Sequence, residues 1–139
     1  MVIGAAPGIN KLKNKSNIYL NTSATLLRQS VYEMEVFTEF LKGKKETVKG
    51  LAGLGDLYVS AAGGRNSKMG AHIGEGILFS EAKKTKMSDV TVEGAELIFE
   101  IGNKVKEDFD DKKLPLMISM IDAILQNTSL NIKWENFNQ

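Results

Sequence analysis

The sequence contains no cysteine, which excludes a disulfide framework, a thiolate metal site and a cysteine nucleophile. A single histidine, His72, cannot assemble a multi-histidine metal centre. Only two prolines, Pro7 and Pro115, interrupt the chain, so long stretches are free to be helical. An excess of charge of one sign is lacking too: 18 basic residues stand against 17 acidic ones, for a net charge of +1. That balance argues against nucleic acid as a partner and against an acidic disordered tail. No apolar run approaches the roughly 18 residues needed to cross a bilayer, so no membrane association is expected. The apolar start, residues 1–8, is short and lacks a basic leader, so it does not read as a signal peptide.

What remains is 139 residues, 42% of them apolar, enough for one domain with a real core. A single soluble, cytoplasmic domain over residues 1–139 is the expectation. Helical periodicity runs over residues 21–42, where Ala24, Leu27, Val31, Met34 and Leu41 form a stripe widened by Leu26, Val36, Phe37 and Phe40. Asn21 or Thr22 suits its start and Gly43 its end. Helices also follow over residues 91–106 and, opened by Pro115, over 115–127. Shorter ones are expected at 44–51, 56–62, 66–74 and 79–85. Residues 1–5 would be extended, 10–17 a polar surface loop, and the tail would dock through Trp134 and Phe137. Alternation of period two is nowhere sustained, so the fold class is all-α, a multi-helix bundle.

Chemistry concentrates in residues 50–76, where tight glycine turns alternate with short helical pieces. Gly50, Gly53 and Gly55 allow sharp bends or close packing before Asp56. Their order is not the Gly-x-Gly-x-x-Gly of a dinucleotide loop, and no strand precedes them. Gly63-Gly64-Arg65-Asn66 then leads into a helix, offering backbone N–H donors, a planar guanidinium fork and a side-chain amide. Together these suit a phosphate monoester. The plainer alternative is a helix-breaking turn, with Asn66 as a cap and Arg65 as a surface charge. His72, two turns on, reads as a packed or solvent-facing residue. Glu107, Asp108, Asp110 and Asp111 lack calcium-loop spacing and read as a solvated turn, so no metal site is expected. The two Asn-x-Ser patterns, at Asn21 and Asn127, read as accidental.

Gly-Leu-Ala-Gly-Leu-Gly-Asp-Leu, with Arg-Asn nine residues after Asp56, resembles the substrate-binding domain of NAD(P)-dependent glycerol-3-phosphate dehydrogenase. The Gly-Gly-Arg-Asn form is similar to that of the archaeal and eukaryotic branches. Ala5-Ala6-Pro7-Gly8, Asn21-Thr22 and Val92-Glu93-Gly94 resemble further family blocks, and the likeness covers about residues 1–126. The resemblance implies a two-domain enzyme that reduces dihydroxyacetone phosphate to sn-glycerol 3-phosphate with NADH or NADPH. Its all-α C-terminal domain, of the kind found in 6-phosphogluconate dehydrogenase-like enzymes, is the part similar to this chain. The N-terminal Rossmann domain, absent here, would bind most of the NAD or NADP and be the natural partner. Without it, an exposed apolar face would favour a homodimer.

Residue by residue, the resemblance gives Asp56 a catalytic place at the reacting end of the substrate; alternatively it is a first-turn carboxylate favoured by the helix dipole. Ser60, where relatives often carry threonine, would donate to substrate, or else back-bond within its helix. Gly64, Arg65 and Asn66 would clamp the phosphate, and Arg65, Thr91 and Glu93 would face the cofactor; Glu93 is equally readable as an ordinary first-turn acid. The family's general-acid lysine lies in a Leu-Lys-Asn segment before the small-residue stretch and has no counterpart here, since Lys11, Lys13 and Lys15 follow Gly8. Leu20 stands where relatives often carry an acid, and residues 10–19 replace a glycine-rich loop. The chain alone is therefore expected to be inactive. Two other roles suit a helical domain of this kind: a non-catalytic interaction or oligomerisation module, or the helical domain of a nicotinamide-dependent enzyme acting on a hydroxy or sugar acid.

Overall fold

The computed structural model describes residues 1–14 and 19–138, and among these there is no β-strand. A 3-10 turn at Ile3–Ala5 runs into α1 (Ala6–Asn14); α2 (Leu20–Phe40) follows. A 3-10 turn (Lys45–Lys49) and a π-helical turn (Leu51–Gly55) lead into α3 (Asp56–Ala61) and α4 (Arg65–Gly74). Then come α5 (Phe79–Thr85), α6 (Glu93–Asp108), α7 (Pro115–Leu125) and a last 3-10 turn at Trp134–Asn136. The fold is all-helical, as the periodicity requires.

The centre of the bundle is α7. Pro115 sits in its first turn, where a missing N–H costs nothing, and eight of its eleven residues are buried. One flank packs with α4, α5 and the start of α6 through Met69, Ile73, Ala82, Val92 and Ala95. Another meets Val105 and Phe109 of the α6 end, with Phe37 of α2 against the Phe109 ring at 5.8 Å between centroids. The tail returns over Leu26, Leu116 and Ile132, with Trp134 and Phe137 5.1 Å apart.

Three local expectations change. Residues 1–5 are not extended: Ile3–Ala5 is a 3-10 turn whose Gly4 lies on the backbone of Ser67. This approach, continued by Gly8 on Gly74 and by Gly70 and Gly74 on the carbonyls of Met1 and Ala5, leaves no room for a Cβ on either side. It draws the start of the chain into contact with α4 along its length. Residues 10–14 belong to α1 rather than to a loop, because that contact carries the helix on; Asn10 is buried, with Oδ1 accepting the Thr22 hydroxyl at 3.2 Å. Residues 15–18 lie outside those described. On α2 the deepest line is Leu26, Gln29 and Glu33, while Ala24 and Leu41 are exposed. The cause is a buried polar chain. Gln29 Nε2 donates to Glu33 Oε1 at 3.1 Å, and Glu33 accepts the N–H groups of Leu116 (2.7 Å) and Met117 (2.8 Å). Gln29 Oε1 accepts the Asn138 N–H at 3.1 Å. A helix start buried in the core thus receives its cap from a distant side chain. The end of α2 turns through Lys42 at φ 62°, with the Gly43 N–H returning to the Thr38 carbonyl.

Candidate functional site

The Gly50–Gly55 stretch forms a π turn because Gly55 N–H reaches back five residues to the Gly50 carbonyl, at 3.3 Å. Gly53 is buried where a Cβ would overlap the Val48 backbone. Single π turns of this kind are enriched at functional sites. The turn feeds directly into α3, placing Asp56 at its first position and Ser60 one turn on, on the same face. Both are exposed.

The end of α3 is fastened to the start of α4. Gly64 N–H donates to the Ser60 carbonyl at 3.4 Å and the Ser67 hydroxyl donates to Ala61 at 2.9 Å. Gly64, extended at φ −65° and ψ 168°, caps α4 without a side chain and hands the chain to Arg65 and Asn66. Asn66 does cap a helix, though not its own: its Oδ1 accepts the N–H of Gly94 in the first turn of α6, at 3.0 Å. A Cβ at residue 94 would come within 2.8 Å of that oxygen, so the contact requires glycine. One residue along on each side, the Arg65 guanidinium pairs with the Glu93 carboxylate, their side chains 56% and 51% exposed. The starts of α4 and α6 are therefore locked together by two adjacent contacts.

Ser60 and Asn66 share the wall of a small cavity of about 100 Å³ with Leu57, Ser67 and Met1, while Asp56 and Arg65 lie outside its lining. Burial lowers the Met1 α-amine to about 6. Met1 also borders a larger, apolar cavity of about 320 Å³ between α2, α6 and α7. Thr91 is exposed just ahead of α6, which begins at Glu93 rather than at Thr91. The structure thus brings Arg65, Asn66, Glu93 and Gly94 into one cluster with Ser60 beside it, and leaves Asp56 and Thr91 exposed outside it. His72 lies a helix length down α4, half-buried. In the acidic stretch, Asp108 and Glu107 flank Lys104 at 2.5 and 3.9 Å, and Asp110 Oδ1 holds the N–H groups of Lys112 and Lys113. Asn127 spends its side chain capping α5 through the Ser80 N–H at 2.9 Å.

Sequence reasoning passed over Lys83. Its ammonium donates to the carbonyls of Met87, Ser88 and Val90 at 3.0, 3.0 and 2.9 Å. These bonds fold residues 86–90 onto the end of α5 and deliver the chain to Glu93. The only advance signal was a lysine in the last turn of a short helix. Lys83→Met keeps the stem and removes the donors; it should cost about 1–2 kcal/mol of stability, read by urea unfolding. Unchanged stability would show that the three carbonyls need no cation.

Residues 2–133 match the family model described as NAD-dependent glycerol-3-phosphate dehydrogenase C-terminus. Among curated relatives, a glycerol-3-phosphate dehydrogenase [NAD(P)+] of Onion yellows phytoplasma is 35% identical over 92 residues, 65% of this chain and 27% of the relative. An NADP(+)-dependent glycerol-3-phosphate dehydrogenase of Archaeoglobus fulgidus is 30% identical over 106 residues, 72% of this chain and 32% of the relative. The [NAD(P)+] enzyme of Mycoplasma mobile is 30% identical over 120 residues, 86% and 34% of the two chains. The matched region spans about a third or less of each relative. Among the described residues no helix is long and apolar enough to cross a membrane. With its all-helical bundle and a family match over nearly its whole length, the chain belongs to the C-terminal domain family of NAD-dependent glycerol-3-phosphate dehydrogenases.

Proposed function

We propose that this chain is the substrate-binding part of an oxidoreductase that interconverts dihydroxyacetone phosphate and sn-glycerol 3-phosphate. The observation that carries the reading is the adjacent Arg65 and Asn66 at the head of α4, behind the Gly63–Gly64 bend. The guanidinium fork matches two phosphate oxygens. The Asn66 Oδ1 is committed to Gly94, which orients the amide so that its NH2 is the group left to donate to a ligand. Ser60, on the wall shared with Asn66, supplies a hydroxyl toward the glycerol portion. Asp56, one turn up the same face of α3, accepts from the reacting end and is the residue assigned to catalysis.

The cofactor would be NAD or NADP, which supplies and takes up the hydride when bound. Arg65 and Glu93 at the paired helix starts and Thr91 just before them form an exposed polar rim that fits one edge of such a molecule. The described residues include no strand–loop–helix cradle for its pyrophosphate, so a Rossmann domain is the partner that would hold most of it. By itself the chain orients substrate without turning it over, since reaction requires hydride donor and proton donor in one preorganised site.

Titration with glycerol 3-phosphate, followed by amide chemical shifts, tests this directly. Arg65→Ala should weaken binding at least tenfold, in line with the loss of a charge-assisted bidentate contact. Equal affinity of the two proteins would remove the clamp. A second reading, a non-catalytic interaction or oligomerisation module, draws on the exposed Leu51, Tyr58, Val59 and Leu97 side chains. It would gain support from stable self-association together with no response to the phosphate ester.

A further inference from the structure

The Glu93 carboxylate meets one terminal nitrogen of the Arg65 guanidinium, the group on which the phosphate reading rests. Each residue is the first of its helix, α4 and α6, and the next residue of each helix, Asn66 and Gly94, is joined to the other at 3.0 Å. The two helix starts are therefore held in fixed register, and the carboxylate meets the guanidinium without first having to order two flexible segments. A guanidinium fork offers the same donors to a carboxylate as to two phosphate oxygens. We infer that Glu93 occupies the place on Arg65 that a phosphate monoester would take, so that ligand and Glu93 exchange on one guanidinium. This rests on the phosphate-clamp reading of Arg65.

The exchange has two consequences. Anion affinity is set by competition: a ligand binds only as far as it outweighs the internal carboxylate. A phosphate monoester, with its second charge at pH 7 to 8, does so better than a singly charged acid held at the same fork. The half-exposure of both side chains keeps the latch weak enough to open, since ion pairs of this kind hold their partner only a few-fold over solvent. Phosphate binding also releases the Glu93 carboxylate at the head of α6, next to Thr91 and on the rim assigned to the cofactor. Occupancy of the phosphate place and availability of Glu93 are thereby linked through one side chain, while the Asn66–Gly94 bond keeps the backbone in place.

The test compares the wild-type chain, Glu93→Gln and Arg65→Ala by titration with inorganic phosphate at pH 8. Glu93→Gln should bind about threefold more tightly than wild type, and Arg65→Ala should bind neither measurably nor with a shift at residues 65–66. In the wild-type chain, the Glu93 side-chain carboxyl carbon should shift on phosphate addition, a readout that needs no variant to fold. Equal or weaker binding by Glu93→Gln, with wild-type binding intact, overturns the exchange and leaves the clamp standing. No binding by wild type or Glu93→Gln at tens of millimolar overturns both.

Discussion

Glu33→Ala should lower the unfolding free energy by about 3 kcal/mol, the cost of stripping a buried helix start of its acceptors. Glu33 is 2% exposed, and its carboxylate takes the N–H groups of Leu116 and Met117 in the first turn of α7, which have no acceptor within that helix. Alanine brings no acceptor, and the Gln29 amide loses its partner as well. Glu33→Gln should fall between alanine and wild type, because one amide oxygen serves one N–H while the amide nitrogen faces the other. The pH dependence has a definite sign. Burial raises the Glu33 pKa above its ordinary 4.5, against the lowering effect of the two backbone bonds and Gln29. The native state then holds the proton more tightly than the unfolded chain. The stability tied to protonation is complete below 4.5 and is lost as pH rises through the raised native value. Urea midpoints of wild type minus Glu33→Gln, taken across the acidic range, should decline upward through that window. A flat difference would show that Glu33 titrates alike in both states.

This network also shows where sequence reading stops. The short helix at residues 79–85 and the proline-opened α7 were legible because their signals are local: an apolar rhythm, Pro115, and flanking turns. The face of α2 was not, because apolar periodicity assumes that buried means apolar. Gln29 and Glu33 are four apart, the spacing of one helix face, but their partners stand 83 to 109 residues away. The candidate site divides in the same way. Arg65 and Asn66 behind two glycines were readable as neighbours, since adjacency in sequence is adjacency in space. That Asn66 serves Gly94, and that Arg65 meets Glu93, depends on how α4 and α6 cross, about which a spacing of 28 residues says nothing. Residues 10–14 read as loop because Asn and Lys are poor evidence for a helix on their own; the close packing of Gly8 on α4 decides the matter.

That packing yields the other large effect. Gly74→Ala should destabilise the chain by about 2–3 kcal/mol, even though alanine is worth up to about 1 kcal/mol more than glycine within a helix. A Cβ at residue 74 would overlap the carbonyl oxygen and backbone of Ala5, and neither can rotate aside as a side chain would. Gly8 meets Gly74 and Glu75 backbone from the opposite side, so the start of the chain and α4 have no slack in which to absorb a methyl group. The relief open to the molecule is to move α4 outward, and α4 carries Arg65 and Asn66 at its other end. The loss should therefore appear twice: in the urea midpoint, and as a shift of the Gly94 amide resonance as the Asn66 bond lengthens. Gly63→Ala is the matched control, since nothing lies within 4 Å of a Cβ placed there. If Gly74→Ala unfolds at the same midpoint as Gly63→Ala and leaves the Gly94 resonance in place, the two backbones do not constrain each other, and α4 is not held by the start of the chain.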